Sequence, residues 1–237
     1  MFKTTSKTFK AASVAVLFAG AFALQRVAHS SEAAVKIPPP VHDETAGAVH
    51  TETAVFAGGC FWGVQGVFQH VRGVKEVMSG YAGGAADTAQ YDRVSEGDTG
   101  HAESVRITYD PAQVSYGKLL QIFFSVAHNP TELNYQGPDH GTQYRSAVFP
   151  TNTAQREIAD SYIAQLDKAH VYSGKIVTKV EDYKGFYPAE GYHQNYLTEH
   201  PESPYIAIND LPKVANLKQM YPAAYRQDAV LVAVASR

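Results

Sequence analysis

The chain has 237 residues, of which 45% are hydrophobic and 18% are charged, and it contains a single cysteine, Cys60. This ordinary globular composition excludes a collagen-like chain, a low-complexity polymer and a multi-span membrane protein. One thiol forms neither an internal disulfide nor a Cys-rich zinc site, so any cysteine chemistry must pass through Cys60. Beyond residue 30 the chain has 16 basic against 23 acidic residues, and an acidic body argues against a nucleic-acid partner.

The first 30 residues have the pattern of a secretory signal peptide. Lys3, Lys7 and Lys10 precede an apolar stretch at residues 11–24, and small residues follow at 28–33. These fourteen apolar residues are too few for a comfortable bilayer span, which needs about 20. We therefore expect an exported protein, periplasmic or secreted. An uncleaved membrane anchor and an organelle transit peptide are the alternatives.

The next segment, residues 31–50, contains three consecutive prolines at 38–40. Prolines favour extended backbone without forming a core, so this segment is predicted to be a flexible linker. The folded domain is then expected over residues 51–225, a length that suits one core. Residues 226–237 are expected to form a C-terminal tail.

The folded part is predicted to alternate strands with helices. Short apolar or alternating runs predict strands at 53–57, 74–81, 103–109, 144–149 and 176–180. Helical spacing of apolar residues predicts helices from Cys60 to Gly73, at 115–128, at 153–170 and, shorter, at 191–199. The order β-α-β-β-α-β, followed by an extra helix and strand, predicts an α+β fold, a ferredoxin-like split βαβ sandwich with additional helices and long loops.

Cys60 lies where a Gly-Gly turn leaves the first strand and a helix begins. The first helical N–H groups and the positive end of the helix dipole would face its sulfur, which favours a thiolate that is nucleophilic near neutral pH. Phe61 and the chain's only tryptophan, Trp62, follow directly. Aromatic walls suit a small apolar group such as a methyl. The alternative is that Cys60 is an inert core residue.

Glu103 shares its strand parity with Val105, Ile107 and Tyr109, so its carboxyl is predicted to point to the apolar side. A carboxyl in such surroundings has a raised pKa and keeps its proton near pH 7, as a general acid must. The alternative is a side chain that reaches solvent around the strand edge. Four further candidates lie in or beside glycine-rich, weakly periodic stretches, where phenols can donate to an oxygen without supplying charge. They are Tyr91, Asp139, Tyr144 and Tyr192.

Taken together, these motifs resemble the peptide methionine sulfoxide reductases of the A type. The resemblance covers about Thr53 to Tyr221 and rests on four runs: GCFWG at 59–63, GHAE at 100–103, GTQYRS at 141–146 and YHQ at 192–194. It implies reduction of methionine S-sulfoxide, free or in proteins, to methionine. This activity, of the EC 1.8.4.11 type, repairs oxidised proteins.

The resemblance also implies roles for the catalytic candidates. Cys60 matches the nucleophile that attacks the sulfoxide sulfur, and Glu103 matches the acid that protonates the sulfoxide oxygen. Tyr91 and Tyr144 match the phenols that hydrogen-bond this oxygen. A charge-separated S–O dipole is stabilised by such neutral donors.

For the substrate, the resemblance assigns Phe61 and Trp62 to a cradle for the ε-methyl group, and Asp139 and Tyr192 to positions that shape the site. The product left on the enzyme would be a sulfenic acid at Cys60.

Because the chain has no second cysteine, it resembles the single-cysteine subgroup, in which an external thiol such as thioredoxin or glutaredoxin reduces the sulfenic acid. We expect a monomer that forms no intramolecular disulfide and binds no cofactor or metal. Its expected partners are oxidised proteins or free methionine sulfoxide, and the thiol donor.

Two other functions fit parts of the pattern. A cysteine hydrolase or acyltransferase would pair Cys60 with a histidine base, although residues 58–63 match neither a nucleophile elbow nor the papain-like motif. The candidate bases are His101, His128, His140 and His193. A non-enzymatic, exported binding module would instead use the many tyrosines as a ligand platform.

Overall fold

The computed structural model describes residue 1, residues 33–45 and residues 51–233. Its strands are Glu52–Gly58 (β1), Val74–Ala82 (β2), Ala102–Tyr109 (β3), Tyr135–Gln136 (β4), Asp139–His140 (β5), Ser146–Val148 (β6), Lys179–Val180 (β7) and Phe186–Pro188 (β8). Six of them form one sheet in the order β7-β6-β1-β3-β2-β8, while β4 and β5 pair separately. Neighbouring strands of the larger sheet are antiparallel except for the parallel pair of β6 and β7.

Within the described residues, six α-helices accompany the sheet. They are Phe61–Gln69 (α1), Tyr91–Val94 (α2), Tyr116–Ile122 (α3), Thr153–Lys168 (α4), Tyr196–Glu199 (α5) and Leu211–Met220 (α6). Wider π turns extend α3 over Phe123–Ala127 and precede α6 over Ile206–Asp210, and short 3₁₀ turns lie at Ala86–Thr88, Thr142–Tyr144 and Gly191–His193. Over the described part of the chain, every helix is too short or too polar to cross a bilayer.

The predicted fold class is confirmed. The strands β6-β1-β3-β2 lie side by side, with α1 connecting β1 to β2 and α3 lying between β3 and β6 in the chain. This is the ferredoxin-like order that the sequence predicts. The side chain of Ser115 accepts the Lys118 N–H and that of Asn152 accepts the Gln155 N–H, so α3 and α4 begin at capping residues.

The alternation of the central strands divides the core into two clusters. Phe56 and Val105 point to one face of the sheet, where they pack with apolar residues of the helices. Val55 and Ala57 point to the opposite face and join a smaller cluster with Phe149. Strand parity therefore decides which side chains meet the helical layer.

The structure also contains elements that the sequence did not predict. The strand expected at 144–149 is reduced to β6, because residues 142–144 form a 3₁₀ turn. Both β8 and α6 fall in segments of the domain for which the sequence predicts neither a strand nor a helix. The C-terminal third of the chain thus adds β8 to the edge of the sheet beside β2, and it packs α6 against α1.

Residues 33–45 pack on the domain, although the sequence predicts that they lie in a linker outside the core. Ile37 is 4% exposed and belongs to the main core cluster. The carbonyl of Pro38 accepts the hydroxyl of Tyr162 at 2.6 Å, and Asp43 accepts the Gly117 N–H at 2.8 Å. The linker prediction is therefore wrong for this segment. Residues 46–50 and the predicted signal peptide, apart from Met1, lie outside the described residues.

Substituting Ile37 tests this packing. Ile37→Ala is expected to lower the free energy of unfolding by about 2–4 kcal/mol, as for other buried large-to-small changes. Val41 lies in the same segment but is 90% exposed, so Val41→Ala is the matched control, with a change below about 0.5 kcal/mol. Urea unfolding followed by circular dichroism measures both. Equal stabilities of the two variants would contradict docking of the segment in solution.

Candidate active site

Cys60 occupies the turn between β1 and α1 and is the N-cap residue of α1. The preceding Gly59 has φ +88°, a left-handed conformation that favours glycine. A Cβ on Gly59 would also lie 2.6 Å from Cβ of Gln136, so a larger residue fits neither the backbone nor the space. The turn leaves the Cys60 side chain 9% exposed at the first turn of the helix.

The thiol of Cys60 is more strongly protonated than the sequence predicts. Burial raises its pKa well above the usual value, and the negative charges of Glu103 and Asp210 raise it further. The backbone N–H of Trp62, at the start of the helix, donates a hydrogen bond to the sulfur and lowers the pKa of the thiol. This lowering does not outweigh the other effects. The prediction of a thiolate near neutral pH is therefore wrong for the free protein, because desolvation exceeds the helix-terminus effect.

Glu103 points into the core side of the sheet, as its strand parity predicts, and is 4% exposed. Its carboxyl accepts the N–H of Phe61, the residue after Cys60, at 3.0 Å. Burial raises the pKa of Glu103 to about 8; the Phe61 hydrogen bond opposes this rise, and Asp139 and Asp210 add to it. At neutral pH the side chain is therefore mostly a neutral acid that can donate a proton.

Aromatic rings line one side of this site. Phe61 is buried, and Trp62 is half-buried and stacks on Tyr196 with ring centroids 3.9 Å apart. Tyr205 meets the Trp62 ring edge-on at 5.9 Å. The indole N–H donates to Nδ1 of His193 at 3.2 Å, which fixes the orientation of the ring. Two of these contacts, with Tyr196 and Tyr205, come from residues that the sequence analysis did not single out.

Tyr91 and Tyr144 are half-buried phenols beside the cysteine and the acid. Burial raises the pKa of both hydroxyls, and the charges of Glu103 and Cys60 raise it further. Both groups therefore stay protonated and can donate hydrogen bonds at neutral pH.

The remaining two predicted residues differ in exposure. Asp139 is half-buried and accepts the hydroxyl of Tyr205, which holds it at the site. Tyr192 is 58% exposed, and its ring centroid lies 4.2 Å from that of His193. It therefore lies at the rim.

Sequence reasoning missed the contribution of the C-terminal segment. A small pocket beside Cys60 is lined in part by Tyr205, Asn209 and Lys213. Asp210 is fully buried, lies 3.4 Å from the ammonium of Lys213, and packs where Gly63 of α1 has no side chain. Asn209 and Asp210 followed by Leu-Pro form a helix-start signal that could have revealed α6.

The histidines proposed as bases for a hydrolase have other partners. Both ring nitrogens of His128 bond within the core, to Phe123 and Ser146, and those of His101 bond to residues 84 and 85. His193 bonds Trp62, and His140 is exposed and stacks on Tyr135. None of these contacts is with Cys60, so the geometry does not favour a cysteine–histidine pair.

A family model described as peptide methionine sulfoxide reductase matches residues 52–225. The chain belongs to this family. It is 66% identical over 186 residues to peptide methionine sulfoxide reductase MsrA 2 of Mesorhizobium japonicum, covering 78% of this chain and 95% of that protein. The MsrA 2 protein of Synechocystis is 53% identical and covers 78% of this chain and 88% of its own length.

Solved structures give the same family. Reduced Mxr1 from Saccharomyces cerevisiae superposes with a TM-score of 0.58 at 33% identity, covering 67% of this chain and 91% of Mxr1. Methionine sulfoxide reductase A of Corynebacterium diphtheriae gives a TM-score of 0.55 at 31% identity, covering 73% of this chain and 90% of that chain. The protein is accordingly a peptide methionine sulfoxide reductase, an oxidoreductase of the EC 1.8.4.11 type, with a role in the repair of oxidised proteins.

Proposed function

We propose that the reductase works through a sulfenic acid on Cys60. The sulfur of Cys60 attacks the sulfoxide sulfur while Glu103 donates a proton to the sulfoxide oxygen. One observation carries this proposal: Phe61, the residue next to Cys60, donates its N–H to the buried carboxyl of Glu103 at 3.0 Å. The chain's single thiol and a carboxyl that is mostly neutral near pH 7 are thereby held at the same helix start.

The atoms and electrons of this step balance without a bound cofactor. The S–O bond of the sulfoxide breaks and a new S–O bond forms on Cys60, so the substrate sulfur gains two electrons and the cysteine sulfur loses two. Because Cys60 begins as a thiol, its proton replaces the one that Glu103 gives to the oxygen. Glu103 thus returns to its neutral form, and the products are methionine and a sulfenic acid.

Tyr91 and Tyr144 stabilise the oxygen during this transfer. Negative charge grows on the oxygen as Cys60 attacks, and neutral donors placed in a site from which water is excluded stabilise it most effectively. Phe61 and Trp62 hold the ε-methyl group by contact. Asp139 and Tyr192 shape the entrance, and family resemblance supports the S epimer as substrate.

An external thiol completes the cycle. Since Cys60 is the only cysteine of the chain, the sulfenic acid has no internal thiol partner, and attack by a donor thiol on Cys60 must release water and form a mixed disulfide. Thioredoxin or glutaredoxin is a suitable donor class, because its second thiol resolves that mixed disulfide.

The N-terminal pattern of lysines, apolar residues and small residues supports export of the enzyme to the periplasm or beyond. We propose that it acts there as a monomer, on free methionine sulfoxide or on oxidised proteins.

A single-turnover experiment tests the proposed chemistry. Without any reductant, N-acetyl methionine S-sulfoxide should yield one equivalent of N-acetyl methionine per chain, and Cys60 should gain one oxygen that dimedone traps. Adding dithiothreitol should restore repeated turnover. The R epimer serves as the matched control and should yield little product. A loss of two protons within the monomer, in place of the added oxygen, would contradict the proposal.

A further inference from the structure

Glu190 lies beside the active site, between β8 and the 3₁₀ turn at Gly191–His193. Its Oε1 accepts the backbone N–H of Tyr91 at 3.0 Å, and its Oε2 accepts the hydroxyl of Tyr81 at 2.9 Å. Tyr91 is the first residue of α2, so this carboxylate satisfies an N–H that has no partner within the helix. Burial raises the pKa of Glu190, but the hydrogen bonds from Tyr91 and Tyr81 contribute to a net lowering, which favours the ionised form.

The same carboxylate faces His193. Nε2 of His193 is 4.0 Å from Oε2 of Glu190 and, among the described residues, is buried without a hydrogen-bond partner. Its Nδ1 accepts the indole N–H of Trp62. Because an indole nitrogen only donates, Nδ1 must be unprotonated, and neutral His193 carries its proton on Nε2, towards Glu190.

His193 also touches the rings that surround the reacting groups. Its ring centroid is 4.4 Å from that of Tyr91 and 5.0 Å from that of Phe61. A change in the orientation or protonation of this imidazole would therefore affect both Tyr91, which binds the sulfoxide oxygen in the proposed mechanism, and Phe61, which contacts the methyl group.

We propose that Glu190 is a positioning residue of the reductase. It holds Tyr91 through the main chain, and it holds Trp62 through His193, because a carboxylate that attracts the Nε2 proton leaves Nδ1 free to accept the indole N–H. This role rests on the proposed function, in which Tyr91 binds the sulfoxide oxygen and Trp62 holds the methyl group.

Protonation of His193 would end this arrangement, because both ring nitrogens then donate and Nδ1 no longer accepts from Trp62. Burial lowers the pKa of His193 and Glu190 raises it. The titratable groups that contact the imidazole in the described part of the chain are Glu190, Tyr91 and Tyr192. Removing the negative charge of Glu190 should therefore move this protonation to lower pH.

Intrinsic fluorescence provides the test, because Trp62 is the chain's only tryptophan. On acid titration of the full chain, the emission should change as His193 protonates, and Glu190→Gln should shift that transition down by about one pH unit. The same variant should lower kcat about tenfold, since one bond to Tyr91 or Tyr81 is lost. Glu190→Asp keeps the charge, so its fluorescence transition should lie closer to that of the wild type.

The control is a second histidine–glutamate pair on the surface. Glu202 lies 3.9 Å from His200 and its side chain is 77% exposed, so Glu202→Gln should leave the fluorescence titration and kcat unchanged. An unmoved transition in Glu190→Gln, with or without a change in kcat, would overturn the route through His193. Aspartate is one methylene shorter and cannot keep the bonds to both Tyr91 and Tyr81, so kcat should also fall in Glu190→Asp. If Glu190→Gln does not fold, a wild-type kcat in Glu190→Asp would overturn the positioning of Tyr91. The fluorescence measurement needs no substrate, so its outcome is independent of the proposed chemistry.

Discussion

Cys60→Ser is expected to abolish the turnover of N-acetyl methionine sulfoxide with dithiothreitol as reductant. The proposed step transfers the oxygen to the Cys60 sulfur, and a serine hydroxyl cannot take it up as a sulfenic acid. No other thiol is present in the chain to replace it. The expected result is product formation at the level of the reaction without enzyme, measured by chromatography of N-acetyl methionine.

The substitution is close to isosteric, so loss of activity should not reflect loss of the fold. Thermal unfolding followed by circular dichroism should give similar curves for Cys60→Ser and wild type. Alkylation of Cys60 in the wild-type protein is an independent experiment and should likewise abolish turnover. Full activity in Cys60→Ser would end the proposed mechanism.

The protonation of the Cys60 thiol shows where reasoning from sequence reaches its limit. A cysteine at a helix start predicts a reactive thiolate, and the structure does place Cys60 at the start of α1. The pKa of its thiol is nevertheless raised, because burial and the charges of Glu103 and Asp210 act on the same sulfur. Both acids lie far from residue 60 in the chain, so no local pattern contains their effect. Slow alkylation near pH 7 is therefore compatible with a catalytic Cys60.

Glu103 shows the opposite case. Its orientation follows from the period of a single strand, which can be counted in the sequence, and burial alone accounts for the largest part of its pKa shift. The contributions of Tyr205, Asp210 and Lys213 depend instead on how α6 packs against α1. They could not be predicted, because weakly periodic segments such as 200–213 take their position from tertiary contacts.

Residues 33–45 were mispredicted for a related reason. The prolines at 38–40 favour extended backbone, but a segment with extended backbone can also dock on a domain. The hydrogen bond from Gln121 to the Ile37 carbonyl and the bond from Ser125 to the Val35 carbonyl fix this segment along α3 and its extension. Composition distinguishes an extended segment from a helix, but it does not show whether the segment forms contacts with the folded domain.

Glu103→Gln is expected to lower kcat by about 10²–10⁴-fold, the usual contribution of a positioned general acid. In the wild type, kcat should fall as pH rises through about 8, where Glu103 loses its proton. The amide of the variant has no such proton, so its low rate should show no decline near that pH. Glu76→Gln is the matched control on a neighbouring strand, because Glu76 is 42% exposed. An unchanged rate in Glu103→Gln would remove Glu103 as the acid.

The pH dependence of the free energy of unfolding distinguishes the loss of the Glu103 proton from a structural effect of the substitution. Native Glu103 keeps its proton up to pH about 8, whereas an unfolded glutamate releases it near 4.5. Between these values the unfolded state binds fewer protons, so wild-type stability falls as pH rises. Over this interval the loss is on the order of 5 kcal/mol, at about 1.4 kcal/mol per pH unit. Glu103→Gln lacks this dependence, so its stability relative to wild type should increase from pH 5 to pH 8 in denaturant titrations. A constant difference would mean that Glu103 is already ionised in the native protein and cannot supply the proton.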